Sequence, residues 1–147
     1  MGAVRRITRG AVAGAAAAAA MSAVMLACQR LGLVGKQPPE HITEQALDAA
    51  DVDRDEPSEN AATVAAHFAY GIGNGAAFAL VARRLPGSAV TRGLIFASGL
   101  LLVSYEGWVP AARILPPLRS QAPGTAWTLV AGHVTYGAVL GAVAGSR

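Results

Sequence analysis

Negative charge is almost missing from most of this chain. Of its nine carboxylates, eight (Glu40, Glu44, Asp48, Asp51, Asp53, Asp55, Glu56 and Glu59) fall within twenty consecutive positions, and only Glu106 lies elsewhere. Cysteine is equally scarce. Cys28 stands alone, which excludes an intramolecular disulfide and reads first as a small buried apolar side chain. Aromatics make up 5% of the residues and the basic residues are scattered at segment ends, so a net charge of +3 does not build a nucleic-acid surface. No Ser, Cys or Thr nucleophile with a neighbouring base is visible, and the sequence gives no catalytic residue and no cofactor site; the expectation is that the protein is not an enzyme.

What remains is apolar. With 53% hydrophobic and 14% charged residues in a chain of 147, four stretches approach the roughly 20 apolar residues that a bilayer-spanning helix needs. They cover 10–33, 61–82, 94–112 and 126–144, with an acidic loop at 36–60. The fold class expected is all-α: an integral membrane bundle of four transmembrane helices in a single domain. The first stretch carries the run Ala15 to Ala20, only marginally apolar. The third carries Glu106 and Pro110 near one end, where proline weakens the last turn. A soluble alanine-rich bundle is the alternative, but helices apolar all round have no face for water. The start MGAVRRITRG, with Leu26 and Ala27 before Cys28, also imitates a lipoprotein signal cleaved ahead of the cysteine; otherwise the segment is an uncleaved first helix.

Lys and Arg collect on the cytoplasmic side of membrane proteins. Arg5, Arg6, Arg9, Arg83, Arg84, Arg92 and Arg147 flank one side of the four spans. Arg30, Lys36, Arg54, Arg113 and Arg119 lie on the other, among the carboxylates. Both termini are therefore expected in the cytoplasm, with the acidic loop outside a bacterial inner membrane. Tyr105, Trp108 and Trp127 then fall at the outer ends of spans three and four, where amphipathic rings favour the headgroup layer.

The chain repeats itself. His67-x-x-Tyr70-Gly71-x-x-x-Gly75-Ala76 recurs as His133-x-x-Tyr136-Gly137-x-x-x-Gly141-Ala142. Thr8-Arg9-Gly10 and Thr91-Arg92-Gly93 open spans one and three, and Pro38-Pro39 and Pro116-Pro117 follow them. The order of these landmarks predicts two repeated helix pairs, inserted with the same orientation. The copies differ in their outer loops, since Gly10 to His67 is 57 positions and Gly93 to His133 is 40. Within the longer loop, Pro38-Pro39 can start a short helix whose Glu40, Glu44 and Asp48 repel one another at four-residue steps. Asp51-x-Asp53-x-Asp55 imitates the opening of a calcium loop, yet position six is Glu56 instead of Gly and position twelve is Ala62 instead of Glu.

Gly71, Gly73 and Ala76 fit the glycine pattern of a dinucleotide turn. No acidic residue follows before Glu106, and the preceding segment belongs to the same apolar run, so nucleotide binding is not expected. Gly71 and Gly75, and the row Gly137, Gly141 and Gly145, read instead as helix-packing positions where backbones approach closely. Such rows suit contacts within the chain, with a second copy, or with another membrane protein. His67 shares a face with Tyr70, and His133 with Tyr136. Both histidines lie roughly 10 Å inside the outer helix ends at 1.5 Å per residue, and Glu106 reaches about the same depth. The expectation is a polar layer of His67, Tyr70, Glu106, His133 and Tyr136. It would satisfy hydrogen bonds between helices, serve a proton or solute route, or hold a metal through His67, His133 and Glu106; no local ligand pair supports the metal.

The stretches MSAVMLACQRLGLVGKQPPEHITEQALDAA, SYEGWVPAARILPP and HVTYGAVLGA resemble small bacterial inner-membrane proteins of the YagU-like type, over nearly the whole chain. The resemblance implies a multi-pass inner-membrane protein of unknown function and supplies no ligand beyond the lipid bilayer. The leading reading is a structural or accessory membrane component; the alternative is a small transporter or proton-conducting protein.

Overall fold

The computed structural model describes residues 2–52 and 55–145, so Asp53, Arg54 and Arg147, used above for the calcium-like pattern and the charge asymmetry, lie outside the described residues. Six α-helices are described: α1 (Ala3–Arg30), α2 (Pro38–Ala49), α3 (Glu56–Val81), α4 (Ala89–Leu102), the short α5 (Val109–Ala111) and α6 (Pro123–Gly145). The fold is all-α, and no strand occurs among the described residues. Four stretches are long and apolar enough to cross a membrane: Ala3–Arg30, Glu56–Arg84, Ala89–Ala111 and Pro123–Gly145.

Each long helix starts ahead of its apolar run, and α1 stops before its run ends, because the start and stop signals lie outside hydropathy. α1 ends at Arg30 rather than at Leu33 because Gly32 takes φ +73°, the left-handed conformation that closes a helix. The Gly32 amide then donates to the Gln29 carbonyl and the Leu33 amide to that of Cys28. Asp51, at φ 53°, does the same for α2, with the Val52 amide reaching Leu47. Asp55 caps α3 by accepting from the Ser58 amide at 3.1 Å, and Ser88 caps α4 by accepting from Thr91 at 3.2 Å. The acidic triplet thus includes one helix terminator and one helix cap, which explains two of its three aspartates without an ion.

The short acidic helix forms where expected, and its repulsion is relieved. Glu40 caps α2 by accepting from the Gln37 amide at 2.8 Å, while Glu44 pairs with Lys36 at 2.6 Å. Lys36 also reaches Glu59 of α3 at 3.4 Å. The Gln37 side-chain amide donates to the Met25 carbonyl at 2.8 Å, fastening α2 across the end of α1.

Proline changes span three more than a weakened turn would. Pro110 brings no N–H, and the helix widens ahead of it into a π-helical segment, Val103–Trp108, with Gly107 outside helical geometry at φ −111°, ψ −105°. One further turn, α5, closes with Arg113 at φ 60°.

Three seams hold the bundle: α1 on α3, α4 on α6, and α1 on α6. Glycine makes two of them. A Cβ added at Gly14 would lie 3.0 Å from the Gly75 Cα, and one at Gly93 would lie 2.9 Å from the Gly141 Cα. One at Gly71 would meet the Ala18 Cβ at 2.7 Å, and one at Gly137 would meet the Ala97 Cβ at 2.8 Å. The same contacts therefore occur in both pairs, but Gly93 occupies the place of Gly14, not of Gly10. The Thr-Arg-Gly landmarks set the α1–α4 register one turn away from that of the contacts. Gly145 packs against Ala89, whereas a Cβ at Gly73 would meet nothing within 4 Å, so the middle glycine of GIGNGA is not part of a seam.

The main core joins Ala13, Ala17, Ala18, Met21 and Met25 of α1 to Phe78, Ala97, Tyr136 and Leu140 from the other three long helices. Cys28 lies half-buried within α1, the helix that supplies one wall of two seams; cleavage before it would open the core.

Candidate functional site

Among the described residues, no comparable seam joins α3 to α4. A cavity of ≈ 200 Å³ occupies that interval. α3 contributes Ala66, His67, Tyr70 and Gly71, and α4 with its π-helical extension contributes Leu100, Ser104, Tyr105 and Trp108. Ala18 and Met21 of α1 and His133 and Tyr136 of α6 form the back, and α2 covers one end with Pro39, Ile42 and Thr43.

Four of the five residues expected in a polar layer line this cavity: His67, Tyr70, His133 and Tyr136. Glu106 does not join them. Its carboxylate pairs with the Arg119 guanidinium and accepts the Arg119 backbone N–H at 3.1 Å, fastening the α5–α6 loop. The set His67, His133 and Glu106 therefore does not assemble, and no cluster of three metal-ligating side chains occurs among the described residues.

The two repeated His–Tyr pairs are used differently. Tyr136 donates to the Gly71 carbonyl at 2.7 Å, tying α6 to α3 where glycine leaves the backbone open. His133 is buried, and its Nδ1–H donates to the Leu129 carbonyl at 2.8 Å, because a carbonyl can only accept. That bond fixes the neutral ring's tautomer and leaves Nε2 as an acceptor. Tyr70, 46% exposed, instead shares a hydrogen bond of 3.2 Å with Ser104 across the α3–α4 interval. The buried Nε2 of His67 has no hydrogen-bond partner among the described residues.

Sequence reasoning missed Ser104 and misplaced Tyr105. Tyr105 is not a headgroup aromatic; it is buried, with its ring edge-on to that of His133 at 6.0 Å between centroids. The signal was available, since Gly93, Ala97, Leu101 and Tyr105 follow at four-residue steps and all are buried. Trp108 and Trp127 are exposed at 41% and 70%, as membrane-surface aromatics would be. No hydrogen bond to another described residue satisfies the Tyr105 hydroxyl or His133 Nε2, which lie on adjoining rings, so with His67 Nε2 the cavity lining carries at least three unmatched polar groups.

Four membrane-competent helices, an alanine–glycine core and an outward surface that includes Val12, Val64, Leu80, Leu102 and Val134 are the features of a multi-pass membrane protein. The chain belongs to the family of unknown function DUF6789, which matches residues 4–146. No curated protein and no solved structure matches it, and the comparisons do not link it to the YagU-like proteins that its sequence resembles.

Proposed function

We propose that this protein is an accessory component of a bacterial inner membrane, acting through rigid helix packing, with both termini in the cytoplasm and α2 on the outer side. One observation carries this reading: the backbone contacts of Gly14 and Gly75 recur at Gly93 and Gly141, with added Cβ atoms coming within 3.0 and 2.9 Å of the opposing Cα. Such seams are rigid because no side chain stands between the helices to re-pack. Their recurrence supports a bundle made from two copies of one helix pair. The outward apolar residues are then available to lipid or to another membrane protein.

The transport reading has less behind it. Glu106, the carboxylate of the third span, is engaged by Arg119 at the edge of the bundle rather than facing the histidines. Reconstitution into vesicles separates the two. An accessory component gives proton flux no higher than empty vesicles, whereas flux that His67→Gln abolishes would replace this reading with a transporter. Reporter fusions at Arg147 and within α2 test orientation: activity on opposite faces agrees with it, and activity on one face contradicts it.

A further inference from the structure

We propose that the α3–α4 cavity is a binding site for a neutral, lipid-soluble molecule carrying a hydroxyl group on a single ring, a phenol in its simplest form. This goes beyond the packing role and does not depend on it. Size comes first: the cavity measures ≈ 200 Å³, and an apolar cavity of about 150 Å³ is enough to hold benzene. One ring with a short substituent fits, and a larger fused system does not.

Polarity narrows the class. Tyr105, 6% exposed, has a hydroxyl with no partner among the described residues, and His133, 7% exposed, has a ring whose Nδ1–H is committed to Leu129. With no partner among the described residues, the hydroxyl and Nε2 are each a point where a bond to a ligand is gained without breaking one between side chains. A ligand hydroxyl answers both, accepting from Tyr105 and donating to His133 Nε2. A ketone or ether could only accept. An ionised ligand would leave its charge in a cavity without a lysine, arginine or carboxylate in its lining.

Access narrows it further. Ala66, Tyr70 and Trp108 are the exposed residues of the lining, and they sit on helices apolar enough to span a membrane. The mouth thus faces sideways between α3 and α4, and a ligand that dissolves in hydrocarbon reaches it without crossing water.

Trp108 in the wall and Trp127 outside it provide the test. In detergent or vesicles, the Trp127→Phe protein retains only Trp108, and the Trp108→Phe protein retains only Trp127 as a reporter of membrane partitioning. The probes are 4-bromophenol and bromobenzene, both heavy-atom quenchers of nearly the same shape. Relative to Trp127, Trp108 should be quenched saturably by 4-bromophenol, with affinity about tenfold above that for bromobenzene. Adding Tyr105→Phe, which keeps the ring and removes the donor, should erase most of that preference while leaving bromobenzene quenching unchanged. Equal, unsaturable quenching by the two probes would assign the cavity to acyl chains and overturn the proposal, as would a preference that Tyr105→Phe leaves intact.

Discussion

The two helix pairs, α1 with α3 and α4 with α6, share a seam and differ in what the seam's neighbours do. His133 and Tyr136 are both buried, and each has a backbone carbonyl to bond, at 2.8 and 2.7 Å. His67 and Tyr70 sit at the matching sequence positions; both histidines leave Nε2 unmatched, but Tyr70 is 46% exposed beside the cavity and bonds the Ser104 side chain instead of a carbonyl. The difference arises from packing partners. α6 is enclosed by α1 and α4, whereas α3 has α1 on one side and, toward α4, the Phe78–Phe96 ring contact with the cavity beside it. Both copies of the four-residue pattern line the cavity, but in α6 the pattern also bonds backbone carbonyls, whereas in α3 its tyrosine stands at the exposed edge.

The sharpest way to break that comparison is to fill the shared seam. Gly75→Leu and Gly141→Leu would drive side chains into the backbone, with even a Cβ within 2.6 Å of the Gly14 Cα and 2.8 Å of the Val90 Cα respectively. Overpacking of a tight core costs about 1–3 kcal/mol and more where backbone must move, so both should lose much of their thermal stability in detergent. Gly73→Leu, with open space around it, should melt within about 0.5 kcal/mol of the parent. Similar melting of all three proteins would remove the seam.

The tyrosines come next. Tyr136→Phe removes the interhelical bond that the Gly71 carbonyl accepts beyond its own helix and should destabilise by about 1 kcal/mol, the range for a buried interhelical bond. Tyr70→Phe loses only a 3.2 Å bond at a half-open position and should cost less than half of that. Equal costs would mean that the two pairs do the same work.

Smaller effects belong to the outer loops. Glu106→Gln should cost under about 1 kcal/mol, because its partner Arg119 is 73% exposed and well screened. It should leave ligand quenching of Trp108 unchanged, and a change there would return Glu106 to the cavity. The smallest concerns pH. The Ser58 hydroxyl, and then the Ser58 backbone N–H, hold the Asp55 carboxyl below its ordinary value. The contribution of this cap is therefore complete above the ordinary aspartate range and is lost as pH falls through the lower folded value. Hydrogen exchange at the first turn of α3 should rise only at that low pH, and Asp55→Asn should remove the dependence.

Much of this was readable from residue order. Four spans, a short helix at Pro38 and the glycine contacts follow from hydropathy, proline and four-residue spacing, which act locally. Helix ends differ from the apolar runs, early at each start and early again at the end of α1, because hydropathy does not register backbone bonding, whereas Gly32, Asp51, Asp55 and Ser88 mark where backbone bonds are satisfied. The one-turn shift between Gly10 and Gly14 was not readable, since alanine and glycine are interchangeable landmarks until the facing helix chooses among them. Glu106 was misassigned because depth was counted along an ideal helix. The widened turn before Pro110 and the return of Arg119 are three-dimensional facts with no signal at Glu106 itself. The open α3–α4 interval is likewise a property of how two pairs meet, not of either pair.

Register is the most direct test of two like seams. In a Cys28→Ala background, cysteines at Ala97 and Gly137 should form a disulfide as readily as cysteines at Ala18 and Gly71, since the Cβ separations of 2.8 and 2.7 Å are alike and each seam must open by the same ~1 Å to reach disulfide spacing. Cysteines at Leu101 and Gly137, the pair implied by aligning the Thr-Arg-Gly landmarks, should not. Cross-linking through Leu101 in preference to Ala97 would contradict the shared seam.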